Sequence, residues 1–148
     1  MAGLVTAPAV PVDAVAAELR RWASTPFDWT RDNCGLAVLG YAERLRGRQV
    51  RPAPSFQGKV GAGLMLERHG GFAGYCSWAM AQIGCAVTET PERGDVALVD
   101  LPGSGLTACL CLSRASSGAT LWAARGDHAV VIEPGEPTKA WRVTCPRR

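Results

Sequence analysis

FDWTRDNCGLAVLGYAERLRG, residues 27–47, carries the sharpest secondary-structure signal in the chain. From Cys34 onward the apolar positions Cys34, Ala37, Val38, Tyr41 and Leu45 recur at the spacing of one helix face, while Glu43, Arg44 and Arg46 take the other faces. Asp32 or Asn33 supplies the short polar side chain that satisfies an orphan amide of the first turn, and Gly47 supplies the ending. Either cap places Cys34 in the first helical turn. Two readings of that thiol stay open: a buried structural cysteine, or a nucleophile held at the positive end of a helix.

Working outward, the pattern divides the chain into a helical first half and a strand-rich second half. Residues 1–12 are small and apolar with two prolines, an N-terminal arm expected to pack on the body or on a partner. Val15, Leu19 and Trp22 predict a first helix over 13–23, stopped by Ser-Thr-Pro at 24–26. After the 34–47 helix, Pro52 and Pro54 mark an irregular linker. Further helices are predicted over 59–68 and 73–83, the last closed by Gly84. Turn signals at 91–95 and 102–105 then bracket strands predicted over 96–99, 107–112, 119–123, 128–132 and 140–144. Helices first and strands last predict an α+β domain, N-terminal helices packed on a C-terminal antiparallel sheet, over residues 13–148.

Composition narrows the function classes. The 148 residues suit one domain, since a chain of that length buries roughly two thirds of its unfolded surface. A net charge of +3, with arginines scattered and no basic stripe interleaved with aromatics, argues against a nucleic-acid binder. The six cysteines include no C-x-x-C pair, and two histidines do not complete a zinc set, so no metal or cofactor is expected. The N-terminal segment lacks a basic region followed by a continuous apolar run, and no window is apolar enough to span a membrane, so neither a secretory signal nor a membrane span is expected. Most of the cysteines are therefore read as reduced core residues, with Cys109 and Cys111 on one face of a strand. The tryptophans at 22, 29, 78, 122 and 141 are scattered through predicted elements and read as core or interface residues.

Pro26, Phe27 and Trp29 ahead of an acidic residue and Cys34-Gly35, the later Gly94-Asp95-Val96 strand, and the closing Ala140-Trp141-Arg142-Val143 together give a resemblance. The pattern resembles small phage and prophage proteins related to the NlpC/P60 cell-wall peptidases, a papain-like superfamily, some of which occur at the tail tip of phages and gene transfer particles. The resemblance implies a papain-like fold, Cys34 at the nucleophile position, and Asp32 and Asn33 at the polar positions before it. It also implies a general-base histidine on the strand after Gly94-Asp95-Val96. That strand here is Thr107-Ala108-Cys109-Leu110-Cys111-Leu112, without histidine. A papain-like thiol needs an imidazole both to lose its proton and to protonate the leaving amine. His128, opening a predicted strand, is the candidate substitute; His69, in a Glu-Arg-His-Gly-Gly helix end, reads as a capping or surface residue.

Two functions follow as expectations. The first is a structural component of a phage-type tail, assembled in the host cytoplasm, whose peptidase-like domain has lost its base and packs against other tail-tip or hub proteins. The alternative is an active cysteine peptidase of peptidoglycan peptides, with Cys34 and His128 as its reactive pair and Asp32 as a third polar group. A soluble cytoplasmic assembly factor is a third reading.

Overall fold

A computed structural model describes residues 13–28, 33–114 and 119–143. The arm at 1–12, Trp29, Asp32 and Cys145 lie outside the described residues. The order is four helices followed by six strands: α1 (Ala14–Ser24), α2 (Cys34–Arg46), α3 (Gly58–Glu67), α4 (Phe72–Ile83), β1 (Ala86–Thr88), β2 (Val96–Leu101), β3 (Gly105–Arg114), β4 (Thr120–Arg125), β5 (Val130–Pro134) and β6 (Pro137–Arg142). This is the α+β architecture that the pattern predicts.

Local chemistry sets the helix ends. Asp13 caps α1 through its carboxylate, which accepts from Val15 N (3.1 Å) and Ala16 N (3.3 Å). α1 stops at Thr25, which is extended ahead of Pro26. Asn33 caps α2, its Oδ1 accepting from Leu36 N at 2.8 Å, and Gly47 closes that helix at φ 68°, a left-handed conformation that glycine adopts without a Cβ penalty. Between α3 and α4 the turn is tight: a Cβ on Gly74 would lie 2.0 Å from His69 O, so the second helix starts where it does only because position 74 has no side chain.

The strands form one antiparallel sheet in the order β1-β6-β2-β3-β4-β5. Side chains alternate between its faces. One face, with Val96, Leu98, Ala108, Leu110, Ala123 and Trp141, packs against α1, α2 and α4 through Val15, Trp22, Val38, Tyr41, Ala79 and Ile83. The other face holds Ala97, Val99, Leu101, Cys109, Cys111, Trp122, Ala124 and Ala140, all buried in a cluster without a helical residue. Such burial requires the sheet to curl so that its own strands meet. The β5–β6 turn completes the closure: Trp122 Nε1 donates to Gly135 O at 2.8 Å, and a Cβ on Gly135 would lie 3.0 Å from Val99 Cγ1. Small alanine and cysteine side chains suit that narrow interior, which accounts for Cys109 and Cys111 as packing.

Polar ties join the two halves. Tyr41 Oη donates to Gly94 O at 2.7 Å, fixing α2 over the start of β2. The buried Arg125 of β4 donates to Trp22 O (2.7 Å) and to Thr25 O, collecting the last carbonyls of α1. Arg93 links Asp13 Oδ2 (2.7 Å) to Leu112 O (3.0 Å).

Several boundaries differ from expectation, each for a physical reason. β1 was not anticipated; Ala86 and Val87 are exposed, and the strand is held by backbone pairing with β6 and not by an alternating buried face. His128 does not open a strand: Gly126 N donates to Ala129 O at 2.9 Å, closing a turn that takes up 127 and 128, and β5 begins at Val130. β6 runs earlier than 140–144, because pairing with β2 continues past a bulge at Leu98/Val99 to Pro137. Leu45, placed on the buried stripe of α2 by its spacing, is 42% exposed, since that stripe turns off the core in the last turn.

Candidate functional site

Cys34 opens α2 and faces a cavity of about 170 Å³. The first turn of α2 forms one wall, with Asn33 and Leu36; Phe72, Tyr75, Cys76 and Met80 of α4 form a second. Phe56 and the Ala62, Met65 and Leu66 side of α3 close over it, while Val60 and Leu64 on the same helix stay exposed. The sheet supplies the floor: Val96, Leu98, Leu106, Ala108 and Trp141. The lining is overwhelmingly apolar.

That environment decides the state of the thiol. Burial pushes the Cys34 thiol above its ordinary value of 9.0, outweighing the N–H groups of Gly35 and of Cys34 itself, which act in the opposite direction. Cys76 is pushed up to about 12, chiefly by burial and then by the neighbouring Cys34 sulfur. Both are free thiols, protonated at neutral pH. The Tyr75 hydroxyl is likewise buried, has no hydrogen-bond partner among the described residues, and is pushed up to about 12 by burial, with Cys76 and Glu43 adding to it.

The structure does not bring the candidate base to this cavity. The β3 side chains that line the cavity with Cys34 are Leu106 and Ala108, which cannot take a proton. His128 is 92% exposed on the β4–β5 turn, 3.7 Å from Asp127 Oδ2, and lines a separate groove with Trp22, Phe27 and Arg125. His69 is half-buried at the α3–α4 turn, its ring packed against Tyr75 (5.0 Å between centroids) and Trp78 (4.6 Å). Tyr75 thus separates His69 from the Cys34 cavity while touching both. Asp32 lies outside the described residues, and Asn33 spends its side-chain oxygen on the helix cap.

Sequence reasoning missed Phe72, Tyr75 and Cys76 as cavity walls. Their spacing places them on adjacent turns of α4, a signal obscured because that helix is apolar on nearly every side. Among the described residues no group of three His, Cys, Asp or Glu side chains could hold a metal ion, and no helix is long and apolar enough to cross a membrane.

Fold and site together define an α+β domain in which a helix-opening cysteine faces an apolar cavity over an antiparallel sheet. The chain belongs to the family described as domain of unknown function DUF6950, which matches residues 11–143. No curated protein and no solved structure matches it.

Proposed function

We propose that this domain is a structural component of a phage-type tail, a relative of the NlpC/P60 peptidases that has given up hydrolysis and packs against neighbouring tail-tip or hub proteins. On this reading it is assembled in the host cytoplasm and carried in the particle. The observation that supports the non-hydrolytic part is the β3 share of the cavity lining, Leu106 and Ala108, neither of which can take a proton. A desolvated thiol with no imidazole beside it among the described residues is a poor nucleophile, and its helix N-terminus cannot return a proton to a leaving amine. The tail assignment is supported by the order of the motifs: a cysteine at the start of α2, the Gly94-Asp95 entry to β2, and Trp141 on the closing strand.

The test has two arms. Recombinant protein incubated with purified peptidoglycan is expected to release no soluble peptide, and Cys34→Ala and His128→Ala chains to behave as the parent. Release that both substitutions abolish would instead establish the peptidase alternative. In the second arm, particles banded from a producing host are expected to contain the protein; finding it only in the soluble extract would point to an assembly factor.

Thiol chemistry gives an independent prediction. Iodoacetamide labelling of Cys34, followed by peptide mass spectrometry, is expected to run on the order of tenfold or more below a free cysteine at neutral pH. Its rate is expected to keep climbing as pH passes the ordinary value of 9.0, because burial raises the thiol pKa. A plateau already reached near neutrality would mean a thiolate, and would contradict the apolar-cavity account.

A further inference from the structure

At the far end of α2 from Cys34, a groove of about 780 Å³ runs between the last turn of that helix, the 47–51 segment and α4. It is lined by Arg44, Arg48 and Arg51 together with Glu43, Gln49 and Gln82. Three guanidinium groups in one concavity repel one another unless acids balance them. Arg44 is balanced, since it pairs with Glu18 of α1. Glu43 is engaged elsewhere, its Oε2 accepting from Val50 N at 2.9 Å. Among the described residues, Arg48 and Arg51 have no carboxylate partner. Positive charge also gathers at the groove's edge. A Cβ on Gly84 would lie 3.0 Å from Arg48 Nη1 and 3.7 Å from Arg46 Nη2, where Arg46 donates to Gly84 O at 3.0 Å. Arg46, through that bond, answers the carbonyl end of α4. It leaves Arg48 and Arg51 without a side-chain hydrogen bond or ion pair among the described residues.

We propose that this groove docks an acidic, extended segment of a partner protein, whose carboxylates pair with Arg48 and Arg51. A guanidinium fork donates two parallel hydrogen bonds to a carboxylate, which gives orientation as well as attraction. The two carboxamides suit a peptide backbone: Gln82 Oε1 already accepts from Arg51 N at 3.0 Å, which leaves its amide nitrogen to donate to a carbonyl. Nucleic acid fits less well. Among the described residues no aromatic side chain lines the groove to stack a base, and Glu43 would face a continuous line of phosphates. The inference deepens the reading of a tail component, and rests on it only for the partner being a neighbouring tail protein.

The test uses fluorescein-labelled hexaglutamate and, beside it, labelled hexathymidylate, each titrated with the full chain and followed by anisotropy. Hexaglutamate is expected to bind saturably, and Arg48→Gln with Arg51→Gln to weaken it about tenfold or more. Arg20→Gln with Arg68→Gln removes the same charge from other exposed positions and is expected to weaken it less than about twofold. Unchanged thermal melting of both double variants confirms that the fold is intact. Absence of saturable binding by the parent, or an equal loss in the two doubles, would overturn the proposal. Tighter groove-dependent binding of hexathymidylate would replace it with a nucleic-acid site. Because none of these readings needs a particle, failure here is distinguishable from failure of the tail assignment.

Discussion

Replacing Asp95 with alanine is expected to cost about 3–5 kcal/mol, a large share of the roughly 5–15 kcal/mol that holds a domain of this size together. Asp95 is fully buried at the entry to β2. One carboxylate oxygen accepts from Glu92 N (2.9 Å) and Arg142 Nε (3.2 Å), and the other accepts from Val143 N (3.1 Å). Its backbone is equally committed, with Asp95 N donating to Glu92 O and Cys111 N donating to Asp95 O. One residue therefore ties the 91–94 turn, the start of β2, the middle of β3 and the end of β6. Alanine would leave the N–H of Val143, a residue only 1% exposed, without a partner in a dry site, and would strip Arg142 of its acid. Asparagine tests whether shape or charge matters. It keeps one acceptor but turns an amide donor toward groups that are themselves donors, so about 2–4 kcal/mol is expected. Urea denaturation of the three chains reads both values directly. A loss below about 1 kcal/mol for Asp95→Ala would show that the carboxylate is an ornament of the turn and not its anchor.

The Gly94-Asp95-Val96 motif thus marks a structural joint, a role that the sequence alone could not separate from membership of a peptidase-like pattern. α2 was readable because every local signal agreed: a polar cap at Asn33, apolar residues on one face, and Gly47 beyond the last turn. The extent of α4 was readable too, 73–83 against Phe72–Ile83, but its buried face was not, because Tyr75 and Cys76 wall the Cys34 cavity while Trp78 packs on His69, so apolar residues occupy two faces and the period dissolves. The common direction of Cys109 and Cys111 followed from strand alternation, yet their burial required a fact that no strand carries by itself, the curl that brings β2, β4 and β6 onto the same interior. The absence of histidine from β3 was plain in the sequence. Only the fold showed that Leu106 and Ala108 are the side chains that β3 contributes to the Cys34 cavity. The placement of His128 turned on one backbone hydrogen bond, Gly126 N to Ala129 O, which periodicity does not record.

Glu18 is the second anchor, and its effect carries a sign that pH can read. Its Oε2 accepts from Trp22 Nε1 (2.6 Å) and from Arg21 Nε (3.0 Å) and Nη2 (2.8 Å), while Oε1 accepts from Arg44 of α2. Glu18→Ala would leave the indole N–H of Trp22 buried without an acceptor, whereas Arg21 and Arg44, 34% and 54% exposed, regain water. The expected loss is accordingly about 2–3 kcal/mol, less than at Asp95, because only the indole is stranded and the partly exposed guanidiniums contribute little once screened. Burial acts to raise the Glu18 pKa, but hydrogen bonds and charge from Arg21 and Arg44 outweigh it, and the carboxyl ends below its ordinary 4.5. A folded pKa below the unfolded one means that the carboxylate's contribution is complete above the unfolded value and fades as pH falls through the folded one. The stability gap between the parent and Glu18→Gln is therefore expected to be widest near neutrality and to close as pH falls below about 4. Asp13, held low by Arg93 and the α1 cap, titrates alike in both chains and cancels from that difference. Should the gap instead open toward acid, burial would have won over the guanidiniums, and the α1–α2 contact would be held by a protonated acid and not by an ion pair.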